Sequence, residues 1–302
     1  MNNTVIKRIA DLYHIFDDLK SQKKLVMAVA TDPQALDAVF EAKKRSIVKP
    51  ILVGKADEIK RIAELYNYDL EGVEIINEPD NNKAIEKSVK LVHDKHADIL
   101  MKGYISTTEL LRGVLDKDWG LRTGRLLSHF ALFEVPAYHK LFGMSDVAMN
   151  IAPDLSQKIQ ILQNAVECLN KIGIKNPKVA ILGAVEMVHE NMQATLDAAL
   201  MSKMAQRGQI KNCIVDGPLA FDNVVSKESA MHKGIESEVA GDTDLLLLPN
   251  IETGNVLYKA LVFFAHARLA GLILGAAAPI VLTSRSDSKE SKLNSILLAS
   301  MA

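Results

Sequence analysis

Apolar residues are arranged along this chain in two alternating patterns: short unbroken runs, and longer segments in which they recur every three or four positions. Lys24-Leu-Val-Met-Ala-Val-Ala30, Lys49-Pro-Ile-Leu-Val-Gly54, Val73-Glu-Ile-Ile76 and Asp98-Ile-Leu-Met101 are runs of the first kind. Unbroken runs of this length predict parallel strands buried on both faces. The helical spacing lies between them. Residues 4–20 carry Val5, Ile9, Leu12, Ile15, Phe16 and Leu19 on one stripe. Asp32-Pro33 opens a second helix, with proline at its first position, and residues 56–66 and 81–95 predict two more. After an irregular stretch at 104–128 the alternation resumes. It predicts a strand at 131–135, a helix from the capping pattern Asp154-Leu-Ser-Gln157 to Ile172 with Gly173 as its stop, and a strand at 178–183. A helix at 191–206, strands at 213–217 and 243–249, a helix at 254–269 and a last apolar strand starting at 272–274 follow. Such an order predicts an α/β fold with doubly wound parallel sheets and right-handed crossovers. A domain change is expected near residue 128, with the C-terminal helix returning to the first domain. The expected domains are therefore 1–128 with 283–302, and 129–282.

Pro279-Ile-Val-Leu-Thr-Ser-Arg-Ser-Asp-Ser-Lys-Glu290 reads as strand, polar loop and helix, the helix marked by Leu293, Ile296, Leu297 and Met301. Asp287 with Glu290 forms a candidate N-cap pair. A loop at the carboxyl end of a strand that feeds a helix N-terminus offers free N–H groups to an anion. Ser284 and Arg285 sit in that loop, and arginine adds a planar fork suited to phosphate. Three other strand ends carry polar or glycine-rich loops: Met101-Lys-Gly-Tyr-Ile-Ser-Thr107, Asp216-Gly-Pro-Leu-Ala-Phe-Asp222 and Pro249-Asn-Ile-Glu-Thr-Gly-Asn255. In open α/β sheets such ends converge on the ligand crevice.

Composition and charge then remove function classes. With 302 residues, 48% hydrophobic and a net charge of −1, the chain has core enough for two domains or one large one, and no basic excess for nucleic acid. The most apolar stretch, 260–282, is interrupted by His266, Arg268 and Pro279, so no membrane span is expected. Residues 1–24 are charged throughout and have no signal-peptide apolar region. Cys168 and Cys213 stand apart, without a C-x-x-C spacing, as expected of free thiols in a reducing, cytoplasmic compartment. No G-x-G-x-x-G, complete P-loop, H-E-x-x-H or G-x-S-x-G is present, so neither a dinucleotide fingerprint nor a metal site is expected. Asp242 and Asp244 read either as a cation site or as a solvated turn before a strand. His129, His139 and His266 read as structural.

Asp216-Gly-Pro-Leu-Ala-Phe-Asp222, the block from Glu238 to Lys259 with its Pro-x-x-x-x-Gly-Asn-x-x-Tyr-Lys pattern, and Leu282-Thr-Ser-Arg-Ser-Asp287 resemble the phosphate acetyl/butyryltransferase family. Ala97-Asp-Ile-Leu-Met-Lys-Gly103 with Thr107 and Leu111-Arg112 is similar to its N-terminal signature. Gly-Ala-Val-Glu186 and Asp216 to Asn223 look more like the butyryl than the acetyl branch. The resemblance implies two doubly wound α/β/α domains with a cleft between them, like isocitrate and isopropylmalate dehydrogenases, in a homo-oligomer. It implies exchange of a short acyl group between CoA and inorganic phosphate, by direct attack of the CoA thiol on the acyl phosphate in a ternary complex, with no cofactor. It places Ser284 as oxyanion donor and Arg285 as phosphate ligand. Lys102, Arg112, Arg122, Arg125, Asp216 and Asn255 become candidate substrate-binding residues, the arginines for the CoA phosphates. The acetyl branch carries an aspartate seven residues after the serine, as base for the thiol; Ser291 stands there in this chain. Asp287, the alternative to a cap, is then the candidate catalytic carboxylate. A phosphate acetyltransferase and a non-catalytic acyl-CoA-binding copy of the family remain as alternatives. A dehydrogenase of the related fold would need an aspartate cluster and nucleotide loop that the sequence lacks.

Overall fold

The computed structural model describes residues 6–19, 22–282 and 287–302. The chain runs α1 (Ile9–Leu19), β1 (Lys23–Ala28), α2 (Pro33–Lys44), β2 (Val48–Gly54), α3 (Ala56–Leu65), β3 (Glu74–Asn77), α4 (Asn81–His93), β4 (Ile99–Lys102) and α5 (Thr107–Val114). It continues through β5 (Ser128–Glu134), β6 (Phe142–Ser145), α6 (Leu155–Lys171), β7 (Lys178–Leu182), α7 (Gln193–Gln206), β8 (Ile214–Leu219), α8 (Phe221–Val225), α9 (Lys227–His232), β9 (Leu245–Leu247) and α10 (Ile251–Phe263). It ends with β10 (Arg268–Leu274), β11 (Ile280–Val281) and α11 (Lys289–Met301). No helix among the described residues is long and apolar enough to cross a membrane.

Two compact units result. One comprises residues 13–125 and 270–302, the other 1–12 and 126–269. In the first, the strand order is β3-β2-β1-β4-β11-β10, with every neighbouring pair parallel except β10 and β11. The chain winds outward from β1 to β3 and then returns to lay β4 on the other side of β1. That reversal is the topological switch at which doubly wound sheets open a crevice. Leu25, Val26, Met27 and Ala28 are fully buried, as their unbroken apolar run requires. α11 packs on α2. Its residues from Lys292 to Met301 are all buried, so the helix is more enclosed than its spacing predicts.

In the second unit β5 pairs antiparallel with β6, and β6, β9, β7 and β8 follow as parallel neighbours. Phe133, Phe142, Met144 and Leu246 belong to its core, with Tyr258 of α10 packed against it. Beneath it, Lys158 of α6 and Asp197 of α7 form a buried ion pair at 2.6 Å, and Gln193 donates to the second carboxylate oxygen.

Several expected elements shift. The irregular stretch at 104–128 contains α5, held by a capping box between Ser106 and Glu109. The expected helix at 254–269 starts earlier, at the Asn250 cap, and stops at Phe263, before β10. The apolar run to Leu282 is an antiparallel hairpin, turned at Gly275 with φ +95°, where glycine avoids a Cβ penalty. Cys213 precedes β8 instead of lying in it, and β8 runs on through Gly217-Pro218. Proline is tolerated there because β8 is the outer strand. Both cysteines are free, and burial pushes the Cys168 thiol up to about 12, which leaves it unreactive.

Asp242 and Asp244 are neither a cation site nor a solvated turn. Lys140 meets Asp244 at 2.6 Å and Asp242 at 3.0 Å, while Lys178 and His139 reach Asp242 at 2.6 and 2.8 Å. The cluster ties together the amino-terminal ends of β6, β7 and β9. Burial raises the Asp242 carboxyl, but hydrogen bonds from Lys178, His139 and Lys140 outweigh it and hold the group well below the usual carboxylate range. A carboxylate depressed in the folded state contributes stability above its unfolded pKa of about 3.9 and loses it as pH falls toward the folded value. Asp242→Asn is expected to lower the melting temperature at pH 7, with the gap from wild type closing below about pH 4. A gap that stays constant from pH 7 to pH 3 in thermal melts would rule the pairing out as its source.

Candidate active site

The unit of residues 13–125 and 270–302 gathers its polar loops at one sheet edge. Register pairs Ala28 with Lys102 and Met101 with Val281. The chain therefore leaves β1, β4 and β11 side by side, at Val29, Gly103 and Leu282. Ser284 and Arg285, which follow Leu282, lie outside the described residues. Asp287 and Ser288 resume the chain at the start of α11.

Close approach of β1 and β4 explains the Lys102-Gly103 pair. The Gly103 N–H donates to the Ala28 carbonyl at 2.9 Å, and the Tyr104 N–H to the Val29 carbonyl at 2.8 Å. Val29 has φ +54°, an unfavourable conformation for a β-branched residue, and strain of this kind concentrates at functional sites. Lys102 is buried at the end of β4. Its ammonium donates to the carbonyls of Gly103 at 3.3 Å and Ile105 at 3.2 Å, so the loop fixes the cation's position.

Asp287 is half-buried and is not the helix cap. Ser288 fills that position, its side chain accepting from the Ser291 N–H at 3.1 Å, and the two hydroxyls lie 2.9 Å apart. The expected cap at Asp287 is thus displaced by one residue: the Ser288 hydroxyl satisfies the N–H of the third helical residue. Ser291, at the position of the family's aspartate, serves this cap. The Asp287 backbone carbonyl accepts from the Lys292 ammonium, and Lys289 pairs with Asp37 of α2 at 2.9 Å. Both contacts anchor the start of α11.

Arg112, Arg122 and Arg125 are all exposed. Arg112 lies in the last turn of α5, and the other two lie on the connection from α5 to β5. Thr123 secures that connection by donating to the Gly275 carbonyl at 2.6 Å and accepting from the Arg125 N–H at 3.2 Å.

The unit of residues 126–269 has its own polar edge. At the carboxyl end of β6, buried Asp146 accepts from the Ala148 N–H at 2.9 Å, the Met149 N–H at 2.8 Å and the Asn150 side chain. Burial raises this carboxyl, against the lowering effect of those bonds. At the neighbouring end of β9, Asn250 caps α10, and Gly254 lets the helix lie directly against the Asp146 backbone. Asn255 is half-buried on the next turn. Asp216 is also half-buried, but it lies within β8, three residues short of that strand's end, and accepts from the Gly217 N–H. At the ends of β7 and β8, Lys233 bridges Glu186 at 3.2 Å and Asp222 at 3.1 Å. His129, beside this edge through its carbonyl's bond to the Ser145 hydroxyl, is lowered to about 4 by burial and is therefore neutral at pH 7.

Sequence reasoning missed Val29, Asp146, Asn150 and the Glu186–Lys233–Asp222 bridge. Ser-Asp directly after the apolar Phe-Gly-Met of β6, with asparagine four residues on, was a readable strand-end signal; nothing local marks Val29.

Polar residues gathered at the carboxyl ends of parallel strands, beside a reversal in strand order, define a doubly wound α/β protein of the type that binds ligands at this edge. The sequence matches the family described as phosphate acetyl/butaryl transferase over residues 5–90 and 80–300, and the chain belongs to that family. It is 50% identical over 282 residues to a phosphate butyryltransferase of Clostridium acetobutylicum, covering 93% of this chain and 94% of that one. It is 45% identical over 279 residues to a phosphate acetyltransferase of Thermotoga maritima, covering 92% and 95%. The crystal structure of a branched-chain phosphotransacylase from Enterococcus faecalis V583 superposes with a TM-score of 0.80 at 33% identity, over 92% of this chain and 98% of that one.

Proposed function

We propose that this chain catalyses the reversible exchange of a short-chain acyl group between CoA and inorganic phosphate: butyryl-CoA plus phosphate gives butyryl phosphate plus CoA. The observation that carries this reading is the alignment of β1, β4 and β11. It sets the fixed ammonium of Lys102 beside the strand that delivers Ser284 and Arg285. In the direction that consumes butyryl phosphate, the CoA sulfur forms a bond to the carbonyl carbon and the carbonyl electrons move to oxygen. That oxyanion then collapses and expels phosphate. Ser284 donates to the oxyanion and Arg285 holds the phosphate oxygens. Lys102 adds fixed positive charge where negative charge accumulates. Arg112, Arg122 and Arg125 offer exposed charge to the CoA phosphates, and we keep Asp216 and Asn255 as candidate substrate-binding residues. The free thiols of Cys168 and Cys213 suit a cytoplasmic enzyme, and we read it as a homo-oligomer.

The test is CoA release from butyryl-CoA that depends on added phosphate, compared with acetyl-CoA. Faster turnover of the acetyl substrate would make it an acetyltransferase. Tight butyryl-CoA binding without turnover would make it a non-catalytic acyl-CoA-binding copy.

With the cap position filled by Ser288, Asp287 is the carboxylate we assign as base for the thiol. Its contribution has a ceiling. A thiol of pKa about 8.5 is roughly 3% ionised at pH 7, so a base that supplies the remaining thiolate is worth no more than about 30-fold there. Asp287→Asn is expected to lower turnover of butyryl phosphate with CoA by about 10- to 30-fold at pH 7, and by less than threefold near pH 9. A loss that is the same at both pH values would deny Asp287 the base role.

A further inference from the structure

We infer that the unit of residues 126–269 holds a second small-molecule site, for an aliphatic carboxylate, at the end of its sheet opposite its own polar edge. A cavity of about 780 Å³ opens at the amino-terminal end of β6 and β9. The polar cluster of Asp146 and Asn250 lies at the opposite, carboxyl ends of the same strands. The volume falls within the range of ordinary ligand pockets, roughly 300–1,000 Å³. Val135, Phe142 and Leu261 form its buried floor, and Val225, Phe221 and Ala265 continue the apolar wall.

Its polar lining is almost entirely committed. The Tyr138 hydroxyl donates to the Thr243 carbonyl at 2.9 Å, and His139 is bonded to Asp242. The Ser226 hydroxyl caps α9, and the Gly241 N–H donates to the Asn223 carbonyl. Lys227 is the exception: it lines the cavity, is exposed at its rim, and has no hydrogen-bond or ion-pair partner among the described residues. An apolar chamber with one uncommitted ammonium at its mouth suits a ligand with an apolar chain and a single negative head. One uncommitted ammonium balances one negative charge, so a carboxylate is a better match than a doubly charged phosphate group. A chain of about eight to twelve carbons would lie along the floor with its head at Lys227.

Calorimetric titration of the full-length protein with decanoate, below its micelle concentration, tests the site independently of turnover. One decanoate should bind per chain, with affinity rising about fourfold per methylene from octanoate to decanoate. Lys227→Gln should weaken decanoate by up to about fivefold and leave decanol binding and butyryl-CoA turnover unchanged, while Lys227→Arg should retain decanoate. Ala265→Trp should narrow the cavity and weaken both ligands. Should that variant fail to fold, the Lys227 pair still decides. Non-saturable binding, displacement of decanoate by CoA, or equal affinity in wild type and Lys227→Gln would each overturn the site.

Discussion

Ser284→Ala is expected to lower kcat by about 10²- to 10³-fold while leaving the KM for CoA and for phosphate within a few-fold of wild type. The hydroxyl is assigned to the oxygen that becomes an oxyanion, so its bond strengthens only as negative charge develops. A group that acts in the transition state and not in the ground state changes kcat and not KM. Its removal should also leave the pH dependence in place, because the serine neither takes nor gives the thiol proton. Asp287→Asn should do the reverse, with a smaller loss that disappears as the thiol ionises by itself. The two variants thus separate charge stabilisation from proton transfer at one loop. A Ser284→Ala enzyme within threefold of wild-type kcat would place the oxyanion elsewhere. An acyl-enzyme burst in the wild type would turn the serine into a nucleophile and replace direct thiol attack.

What could be read from the sequence follows physical locality. The strands of the first unit were legible because burial on both faces forces an unbroken apolar run, as in Leu25 to Ala28. α6 was legible because Asp154 and Gln157 cap each other within one turn, and both bonds are present at 2.9 Å. Strand order was not legible, because it depends on which runs pair across tens of residues. The placement of β4 between β1 and β11 therefore had to come from the structure. The Asp242–Asp244 cluster went unread for the same reason: its cations come from distant parts of the chain, Lys140 just before β6 and Lys178 at the start of β7. At the candidate site, Lys102-Gly103 and the loop after β11 were flagged from local chemistry. The cap of α11 was misassigned by one residue, since Asp287 and Ser288 are both competent caps and only backbone geometry chooses between them. Asp216 was expected at the end of a strand closing at Gly217, but the strand runs on to Leu219, because an outer strand tolerates proline.

Gly103→Ala carries the largest stability effect expected in the first unit. A Cβ at this position would stand 2.1 Å from the Val29 carbonyl oxygen and 2.5 Å from that of Ala28. Both obstacles are backbone, in a buried strand that is hydrogen-bonded on either side, so no flexible side chain can swing away. Relief requires β4 to move away from the end of β1, which stretches the Gly103 and Tyr104 hydrogen bonds to Ala28 and Val29. Overpacking of this type costs about 1–3 kcal/mol, and a backbone obstacle belongs at the upper end. For a unit of this size, about 3 kcal/mol corresponds to a fall of roughly 6–12 °C in Tm. Lys102 moves with the loop, since its ammonium is held by the carbonyls of Gly103 and Ile105. A displacement of about 1 Å in a positioned group can cost around 10²-fold, so kcat/KM should fall by that order even at temperatures where the variant stays folded. Gly72→Ala supplies the control. Gly72 has φ +68° but nothing within 4 Å of its would-be Cβ, so alanine there brings conformational strain without a clash. It should cost about 1 kcal/mol and leave turnover unchanged. A Gly103→Ala protein that melts with Gly72→Ala and turns over like wild type would show that β1 and β4 need not touch at this edge, and that Lys102 takes no part in the reaction.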